Sequence, residues 1–543
     1  MSVIDSLRKS PFLAPLLLVL AAATALWILL SPWIPLSKTV PLLAVTLLGG
    51  LWLRMGKGWR RPGFGFAFAL IMALIAWPFA VILHTFGRVD MISVAFHHQA
   101  GMSGMDLGMV RKEIVLTGAI LLCLLIAGWA LTSYHSFRRM PLVIGLFLLG
   151  SNPVLLFLLR DRMMDVPDVV LMDLVQDAVV TPPAHRPDVV HIYLEGLDRR
   201  FLDPAIDAET ARILRDLEKT GLSFTDIRET AGTGWTIAGM VASQCGVPLL
   251  PEGGVKGLWQ VIKNPPPSAP EGPADGPVPI WPILPGLICL GDLLFDSGYD
   301  QSFVMGAPGA FATTADFWLS HGYSKAIAQE ELIGIYGKEA IADVTFDAFT
   351  EDKVVYDAAR QQFAAHLAQP APFYMTVATI GPHGVPSFLS SSCTADGKAI
   401  RTDDVALSAR CLAVQTRDLI ADLQEEYRLS GREGDLRIIL QSDHLNHASA
   451  RLPTAQQEAN LVILIGGTGA GQQISQTGGM FDLYPTILDW MGFAPEGGRA
   501  GLGISLLQAP GGRMTEIWSE EVFTRIVARN MALFGKAWTP REG

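Results

Sequence analysis

Hydrophobic positions follow two regimes along this 543-residue chain. Up to about residue 160 they form long apolar blocks. Beyond it they fall in short runs that alternate with helical patterns. Five blocks, at about 12–31, 39–55, 65–84, 114–132 and 141–159, are long enough or nearly so to cross a hydrocarbon core, which takes about 20 residues of helix. The second is short and glycine-rich. The first is not a cleavable signal, because it is long and further spans follow it without a small-residue cleavage site. Basic residues orient the blocks: Arg8 and Lys9 precede the first, Arg54, Lys57, Arg60 and Arg61 follow the second, and Arg138 and Arg139 follow the fourth. The alternate loops carry Lys38, Arg88, Arg111 and Lys112, with Arg160 and Arg162 reducing the bias after the fifth block. The positive-inside rule then places the N-terminus in the cytoplasm and everything after Leu159 outside it. The expected organisation is a five-helix transmembrane domain at 1–160, an interfacial linker at 161–187, an external domain at 188–515 and a helical tail at 516–543. The loop from Phe86 to Lys112 and the segment Met163–Val180 mix apolar and polar residues, and both are expected along the outer membrane surface. The tail, helical from Met514 to about Phe534 with one apolar face, packs on the domain or touches lipid.

In the external part, Val189–Leu194 is a near-continuous β-branched and apolar run, the signature of a strand buried on both faces of a parallel sheet. Gln301–Met305, Phe373–Ile380, Leu436–Gln441 and Leu461–Ile465 read the same way, with helical patterns between them. That alternation predicts an α/β domain with a central, mostly parallel sheet covered by helices on both faces. The stretch 251–286 is rich in Pro and Gly and reads as a long irregular excursion. The net charge of −11 argues against a nucleic-acid partner, which needs a basic stripe. Cys123 lies inside the fourth block, whereas Cys245, Cys289, Cys393 and Cys411 all lie outside. An even number in an oxidising compartment predicts two disulfides. Of the three connectivities, the sequence-local pairs Cys245–Cys289 and Cys393–Cys411 are expected; buried free thiols are the alternative.

Ligands of an open α/β sheet gather at the carboxyl ends of its strands. Glu195 follows the first strand, His383 follows the Phe373–Ile380 run, and Asp443 and His444 follow Leu436–Gln441. Thr236 stands where a glycine-softened turn, Gly232-Thr233-Gly234-Trp235, opens into a short helix. A helix N-terminus offers unpaired N–H groups and a positive dipole end to an anion. Taken alone, a Thr there is an N-cap, a post-strand carboxylate is a turn residue and a His in a Gly-Pro loop is a surface residue. Together they form an oxygen and nitrogen set for one divalent cation: Glu195, Asp443 and His444 with the Thr236 hydroxyl. In that arrangement Thr236 is a metal-activated nucleophile toward phosphorus. His383 bonds a phosphate oxygen or protonates the leaving alkoxide, and His447 and Trp235 are further substrate-side candidates. His185 and His191 read as structural.

These stretches resemble the membrane-anchored phosphoglycerol transferases of the alkaline phosphatase/sulfatase superfamily, most of all the branch that decorates osmoregulated periplasmic glucans; lipoteichoic acid synthase is a relative. The likeness rests on Ile192–Leu197, Thr236–Pro248, Ile288–Tyr299, Ser320–Tyr323, Ser442–Leu445 and the closing Asp482–Gly492 (DLYPTILDWMG). It covers 188–515 closely and the membrane part loosely. It implies a sulfatase-like catalytic domain in the periplasm of an inner-membrane protein, with one divalent metal, commonly Mn²⁺, on Glu195, Thr236, Asp443 and His444. It also implies a phospho-threonine intermediate on Thr236, phosphatidylglycerol as donor with diacylglycerol released, and a glucan acceptor. Mg²⁺ and Zn²⁺ suit the same ligands.

Three departures bear on specificity. Gly306–Ala315 lacks the Arg and Lys that relatives carry beside the substrate phosphate. Asn446-His447-Ala448-Ser449 stands where the relatives have Ala-Met-Asn-Asn. The chain also stops soon after the superfamily domain, where the longest glucan enzymes continue. Phosphoethanolamine transfer uses the same nucleophile and metal and is the alternative activity. A sulfatase needs a Cys/Ser-x-Pro-x-Arg frame, which Thr236–Gly239 lacks, and the histidines show no convincing spacing for a two-zinc phosphodiesterase. An inactive membrane-anchored scaffold is disfavoured by the intact Glu195, Thr236, Asp443 and His444.

Overall fold

The structure, a computed structural model, describes residues 62–86, 90–100, 110–132, 140–156, 166–252, 281–346, 349–448, 456–530 and 534–541, with 452 and 454. The expected spans at 12–31 and 39–55, and most of the 251–286 excursion, lie outside these residues. Contacts divide the chain into two compact units, one holding residues up to Met91 and Leu107–Asp165 with Ser449–Arg451, the other Ile92–Asp106, Val166–Ala448 and Leu452–Gly543.

The first unit contains α1 (Pro62–Phe86); α2 (Met91–Ala100) belongs to the second but for its first residue; α3 (Arg111–Leu131) and α4 (Met140–Gly150) return to the first. Two described helices are long and apolar enough to cross a membrane, over Gly63–Thr85 and Arg111–Ala130. Their large side chains point outward, Leu70, Ile71, Leu74 and Ile75 from α1 and Val115, Leu122 and Ile126 from α3. Small residues on one helix meet larger side chains on the next. Ala69 and Ala73 pack with Leu125 and Leu148, and a Cβ on Gly145 of α4 would lie 2.4 Å from the Phe68 ring. The expected five spans are therefore not reached among the described residues. The fifth block holds α4, whose 11 residues rise only about 16 Å at 1.5 Å each.

In the second unit nine strands form the central sheet among the described residues. They are β1 (Asp188–Leu194), β2 (Gly221–Arg228), β3 (Asp300–Met305), β4 (Lys325–Ile327), β5 (Phe373–Ala378), β6 (Leu436–Ser442), β7 (Asn460–Ile465), β8 (Gln473–Ile474) and β9 (Gly478–Gly479). The order is β8-β2-β7-β6-β1-β5-β3-β4, with β9 also paired to β2. β6, β1, β5, β3 and β4 run parallel, as do β8 and β9 with β2; only β7, antiparallel to both β6 and β2, runs against the rest, so the sheet is mostly parallel, as expected, but mixed. The cause lies in the connection: a parallel return needs a crossover, usually a helix, and the described residues between Asp443 and Ala459 hold none.

One face of the sheet is covered by α5 (Ala208–Thr220), α7 (Asp352–Leu367) and α8 (Val405–Ser430); further helices of this unit are α6 (Thr236–Cys245), α9 (Leu483–Met491) and α10 (Glu520–Asn530). α5 and α8 start on side-chain caps, Asp207 accepting from the Thr210 N–H and Asp404 from the Leu407 N–H. Disulfides join Cys245 to Cys289 and Cys393 to Cys411, and Cys123 is exposed on α3.

Two segments expected along the membrane surface pack on this unit. In α2, Ile92, Ala95 and Phe96 are buried. Leu171, within the expected linker, is completely buried, and its N–H donates to the Asn530 side chain at 2.7 Å. The same Asn530 donates to the Val169 carbonyl, so the tail and the linker are tied together. The tail breaks after a short turn at Met514–Ile517, and α10 buries Phe523, Ile526 and Val527 against the domain.

Candidate active site

Strand register assembles the site. Leu194, the last residue of β1, pairs with Ser442, the last of β6, so Glu195 and Asp443 leave the sheet side by side. Gly196 turns the chain immediately after Glu195 with φ +55, where a side chain is disfavoured, and its N–H donates to Asp443 Oδ1 at 2.9 Å. The His444 N–H donates to the same oxygen at 2.8 Å. α6 then descends onto this turn. A Cβ on Gly239 would lie 1.8 Å from the Asp443 carbonyl oxygen, so only glycine permits the approach. Thr236 is the first residue of α6, with Trp235 in the cap position and no side-chain cap at all. Its hydroxyl therefore does not cap the helix; it donates to Glu195 Oε2 at 3.3 Å.

Glu195, Asp443 and His444 are all at least 97% buried. Their facing atoms, Glu195 Oε1, Asp443 Oδ2 and His444 Nε2, have no hydrogen-bond partner, although His444 Nε2 stands 3.2 Å from Glu195 and 3.3 Å from Asp443. Buried polar atoms in folded proteins are mostly paired, so three unpaired ones within 4.8 Å of one another mark a candidate cation site. His444 Nδ1 lies 2.9 Å from the Leu445 carbonyl, which places the ring proton there and leaves the Nε2 lone pair for a metal. The electrostatics agree. Burial, then the Asp443 charge, pushes the Glu195 carboxyl up to about 8. Burial pulls His444 down, but Asp443 and Glu195 outweigh it and hold the imidazole up at about 10. The cluster thus draws in positive charge, which a divalent cation supplies in place of a proton.

His383 is partly exposed, with Nε2 4.0 Å from Glu195 Oε1. Burial first and His444 second pull it down to about 4. The His447 ring stacks on His444 at 4.3 Å and lies 5.4 Å from His383, so three histidines share one rim. Trp235 is 7% exposed beside Phe96 and His97 of α2. The structure thus gathers Glu195, Thr236, His383, Asp443, His444 and His447, with Trp235 adjoining. The four cysteines lie apart from the cluster, except that Cys245 ends α6.

Sequence reasoning missed the residues that hold the loops together. Asn446 donates through Nδ2 to the Gly196 carbonyl at 3.0 Å and also to the Pro382 carbonyl, clamping the turns after β1, β5 and β6. Its own N–H donates to Asp198, which is ion-paired with buried Arg200. Asp352 accepts from the Ile380 and Gly381 N–H groups at 2.7 and 2.9 Å and fixes the loop of His383. Glu229 accepts from the Leu445 N–H at 2.9 Å. Asn446 stood out only as a departure from the relatives, and Asp198, three residues after Glu195, did not stand out at all. In Gly306–Ala315, Ala312 and Thr313 have φ +50 and +57.

Residues 259–493 match the sulfatase family. The chain carries a sulfatase-family domain. It is similar to phosphoglycerol transferase I of Escherichia coli O6:K15:H31, 30% identical over 344 residues, which is 62% of this chain and 41% of that protein. It is also similar to phosphoglycerol transferase I of Xanthomonas campestris pv. campestris, 28% identical over 535 residues, 92% of this chain and 69% of that protein. The chain thus spans about two fifths of the length of the first relative. Among solved structures, the lipoteichoic acid synthase LtaP from Listeria monocytogenes aligns with a TM-score of 0.42 at 14% identity, over 67% of this chain and 96% of that one.

Proposed function

We propose that this chain is a membrane-anchored phosphotransferase that takes phosphoglycerol from phosphatidylglycerol, holds it on Thr236 and passes it to a periplasmic glucan, releasing diacylglycerol. One observation carries the reading: the unpartnered Glu195 Oε1, Asp443 Oδ2 and His444 Nε2 converge beside a helix-start hydroxyl. Relatives named phosphoglycerol transferase I support the reaction class, and the apolar helices α1 and α3 suit a lipid donor. Two disulfides support an oxidising, extracytoplasmic compartment.

Glu195, Asp443, His444 and the Thr236 hydroxyl would hold one divalent cation, with Mn²⁺ first and Mg²⁺ or Zn²⁺ as alternatives. Such an ion, when bound, lowers the hydroxyl pKa and neutralises a phosphate oxygen. Glu195 Oε2 orients the hydroxyl, and the N–H groups opening α6 face the phosphate. The bond from Thr236 Oγ1 to phosphorus forms as the bond to the diacylglycerol oxygen breaks, and the hydroxyl proton passes through the rim, where neutral His383 can accept it, to the departing alkoxide. An acceptor hydroxyl then attacks phosphorus, and Thr236 leaves with a proton.

The test is purified full-length protein with Mn²⁺, phosphatidylglycerol labelled in the headgroup, and a glucan. Diacylglycerol release, labelled glucan and a labelled Thr236 are expected, and Thr236→Ala should lower turnover by roughly a thousandfold or more. Full activity in Thr236→Ala, or no turnover of any lipid, sinks the reading. Turnover of phosphatidylethanolamine instead assigns phosphoethanolamine transfer.

A further inference from the structure

Three loops leave the carboxyl edge of the sheet at the active site, after β1, β5 and β6, and they are not held equally. The β1 and β6 turns are cross-bonded at several points. The Glu195 N–H donates to Thr379 Oγ1 at 2.9 Å, the Gly196 and His444 N–H groups both reach Asp443 Oδ1, and the Leu445 N–H reaches Glu229. The β5 loop is fixed by Asp352 as far as Gly381. The next residue, Pro382, has no N–H, so its carbonyl is its only backbone bonding group, and that carbonyl accepts from Asn446 Nδ2. His383 follows directly. Beyond it the loop closes on itself, with Ser387 Oγ donating to the Gly384 carbonyl.

Asn446 is itself firmly placed. It is 2% exposed, and every part of its carboxamide is used: Nδ2 donates to the Gly196 and Pro382 carbonyls, and Oδ1 accepts from the Ala448 N–H at 2.8 Å. Turning the amide over would set its oxygen against two carbonyl oxygens, so the network fixes its orientation. Its backbone N–H donates to Asp198 Oδ2 at 2.8 Å, and Asp198 is buried in an ion pair with Arg200. The two turns it joins meet closely, since a Cβ on Gly196 would lie 3.0 Å from both Asn446 Nδ2 and the Pro382 carbonyl oxygen. His383 Nε2 stands 4.0 Å from Glu195 Oε1, a separation that follows from where Pro382 is held against Gly196. Losing Asn446 leaves the β1 and β6 turns their other bonds but frees the only backbone tie of the residue before His383.

We propose that Asn446 is a positioning residue that holds His383 beside the metal-ligand cluster, so that it acts on protonation of the departing diacylglycerol oxygen and not on metal binding. His383 hands to that oxygen the proton it takes from the Thr236 hydroxyl, so no further acid is needed. This rests on the transfer reading, which names the oxygen that must be protonated.

Two donors separate the roles in full-length protein with Mn²⁺. Phosphatidylglycerol has an alkoxide that must be protonated to leave, whereas the 4-nitrophenyl ester of glycerol phosphate releases nitrophenolate without a proton. Asn446→Ala should lower kcat on phosphatidylglycerol about a hundredfold and on the nitrophenyl ester less than about threefold, with KM for either within about threefold. His383→Ala should show the same split, and adding Asn446→Ala to it should cost no more than about twofold further, because a residue acting through another is non-additive with it. Equal losses on both donors, or losses that multiply in the double variant, overturn the proposal. So does a fall of about tenfold in Mn²⁺ affinity by calorimetry, which would assign Asn446 to the metal-ligand turn. Asn446→Ser repeats the comparison should Asn446→Ala fail to fold. Hydrogen exchange needs no turnover: in the variant, the peptide 380–390 should exchange about tenfold faster while 192–198 is unchanged. Equal loosening of the two peptides also overturns the proposal. Should the wild type turn over neither donor, the transfer reading fails, and the exchange pattern alone decides whether Asn446 holds the His383 loop.

Discussion

On one face of the central sheet, Val190, Ile192 and Leu194 of β1 meet apolar side chains of α5, α7 and α8 in a continuous hydrophobic core. On the other face, the alternate residues of the same strand enter a chain of hydrogen bonds beneath α6. His191 Nδ1 is 2.8 Å from the Tyr374 hydroxyl, and its Nε2 is 3.1 Å from Gln441 Oε1. The Tyr193 hydroxyl bonds Ser243 at 2.8 Å and accepts from Gln244 Nε2 at 2.9 Å, both on α6. Apolar burial is non-directional and stabilises without choosing one orientation. A buried polar network narrows the arrangements open to its donors and acceptors, here with Gln244 Oε1 and Gln441 Nε2 left without a partner among the described residues. The helix that starts at Thr236 is therefore seated on the face that carries the polar network, while the β1 residues of the other face enter a continuous apolar core. If this division is right, substitutions on the two faces should separate stability from turnover.

The largest effect is expected from Gly239→Ala, whose Cβ would overlap the Asp443 carbonyl oxygen at 1.8 Å. Displacing α6 from the metal-ligand turn by even about 1 Å should cost a hundredfold or more in kcat. A fully active Gly239→Ala enzyme would contradict the close approach. Ile192→Ala, on the apolar face, should lower unfolding stability by about 2–5 kcal/mol, with kcat per folded molecule nearly unchanged. Denaturant titration beside an active-site count separates the two quantities. Tyr193→Phe should do the reverse, costing only about 1–2 kcal/mol of stability but roughly tenfold in kcat. Equal ratios of turnover to stability in these last two variants would erase the distinction between the faces.

The smallest effect concerns acid. Burial holds His191 down at about 3, against 6.5 for the free side chain. Between these values the unfolded chain binds a proton that the folded one refuses. Stability therefore rises with pH across that window and falls on acidification by about 1.4 kcal/mol per pH unit. His191→Gln should flatten this slope in urea titrations at pH 4 to 6; an unchanged slope would place the acid sensitivity elsewhere.

Much of this was legible in the sequence. The strands around Val190, Phe373, Ile439 and Ile463 announce themselves because burial on both faces demands continuous apolar runs. Glu195, Asp443 and His444 could be picked out because parallel strands deliver their last residues to a common edge. β2 was missed, since Gly221–Arg228 mixes polar and apolar residues beyond its buried first half. The antiparallel course of β7 was missed as well, because a run of Val, Leu and Ile carries no direction. Asn446 was invisible as a clamp, for its partners Gly196 and Pro382 are hundreds and tens of residues away and meet it only when three loops converge.

By itself, then, the sequence determined the apolar helices, the buried strands and the chemical types brought to the strand ends, since these depend on local composition and period. The tertiary structure decided which face of the sheet carries α6 and where the Thr236 hydroxyl points. It also decided that α2 packs with the catalytic unit. Those outcomes depend on strand register, on a glycine contact and on hydrogen bonds between distant segments, none of which is encoded within a single stretch of chain.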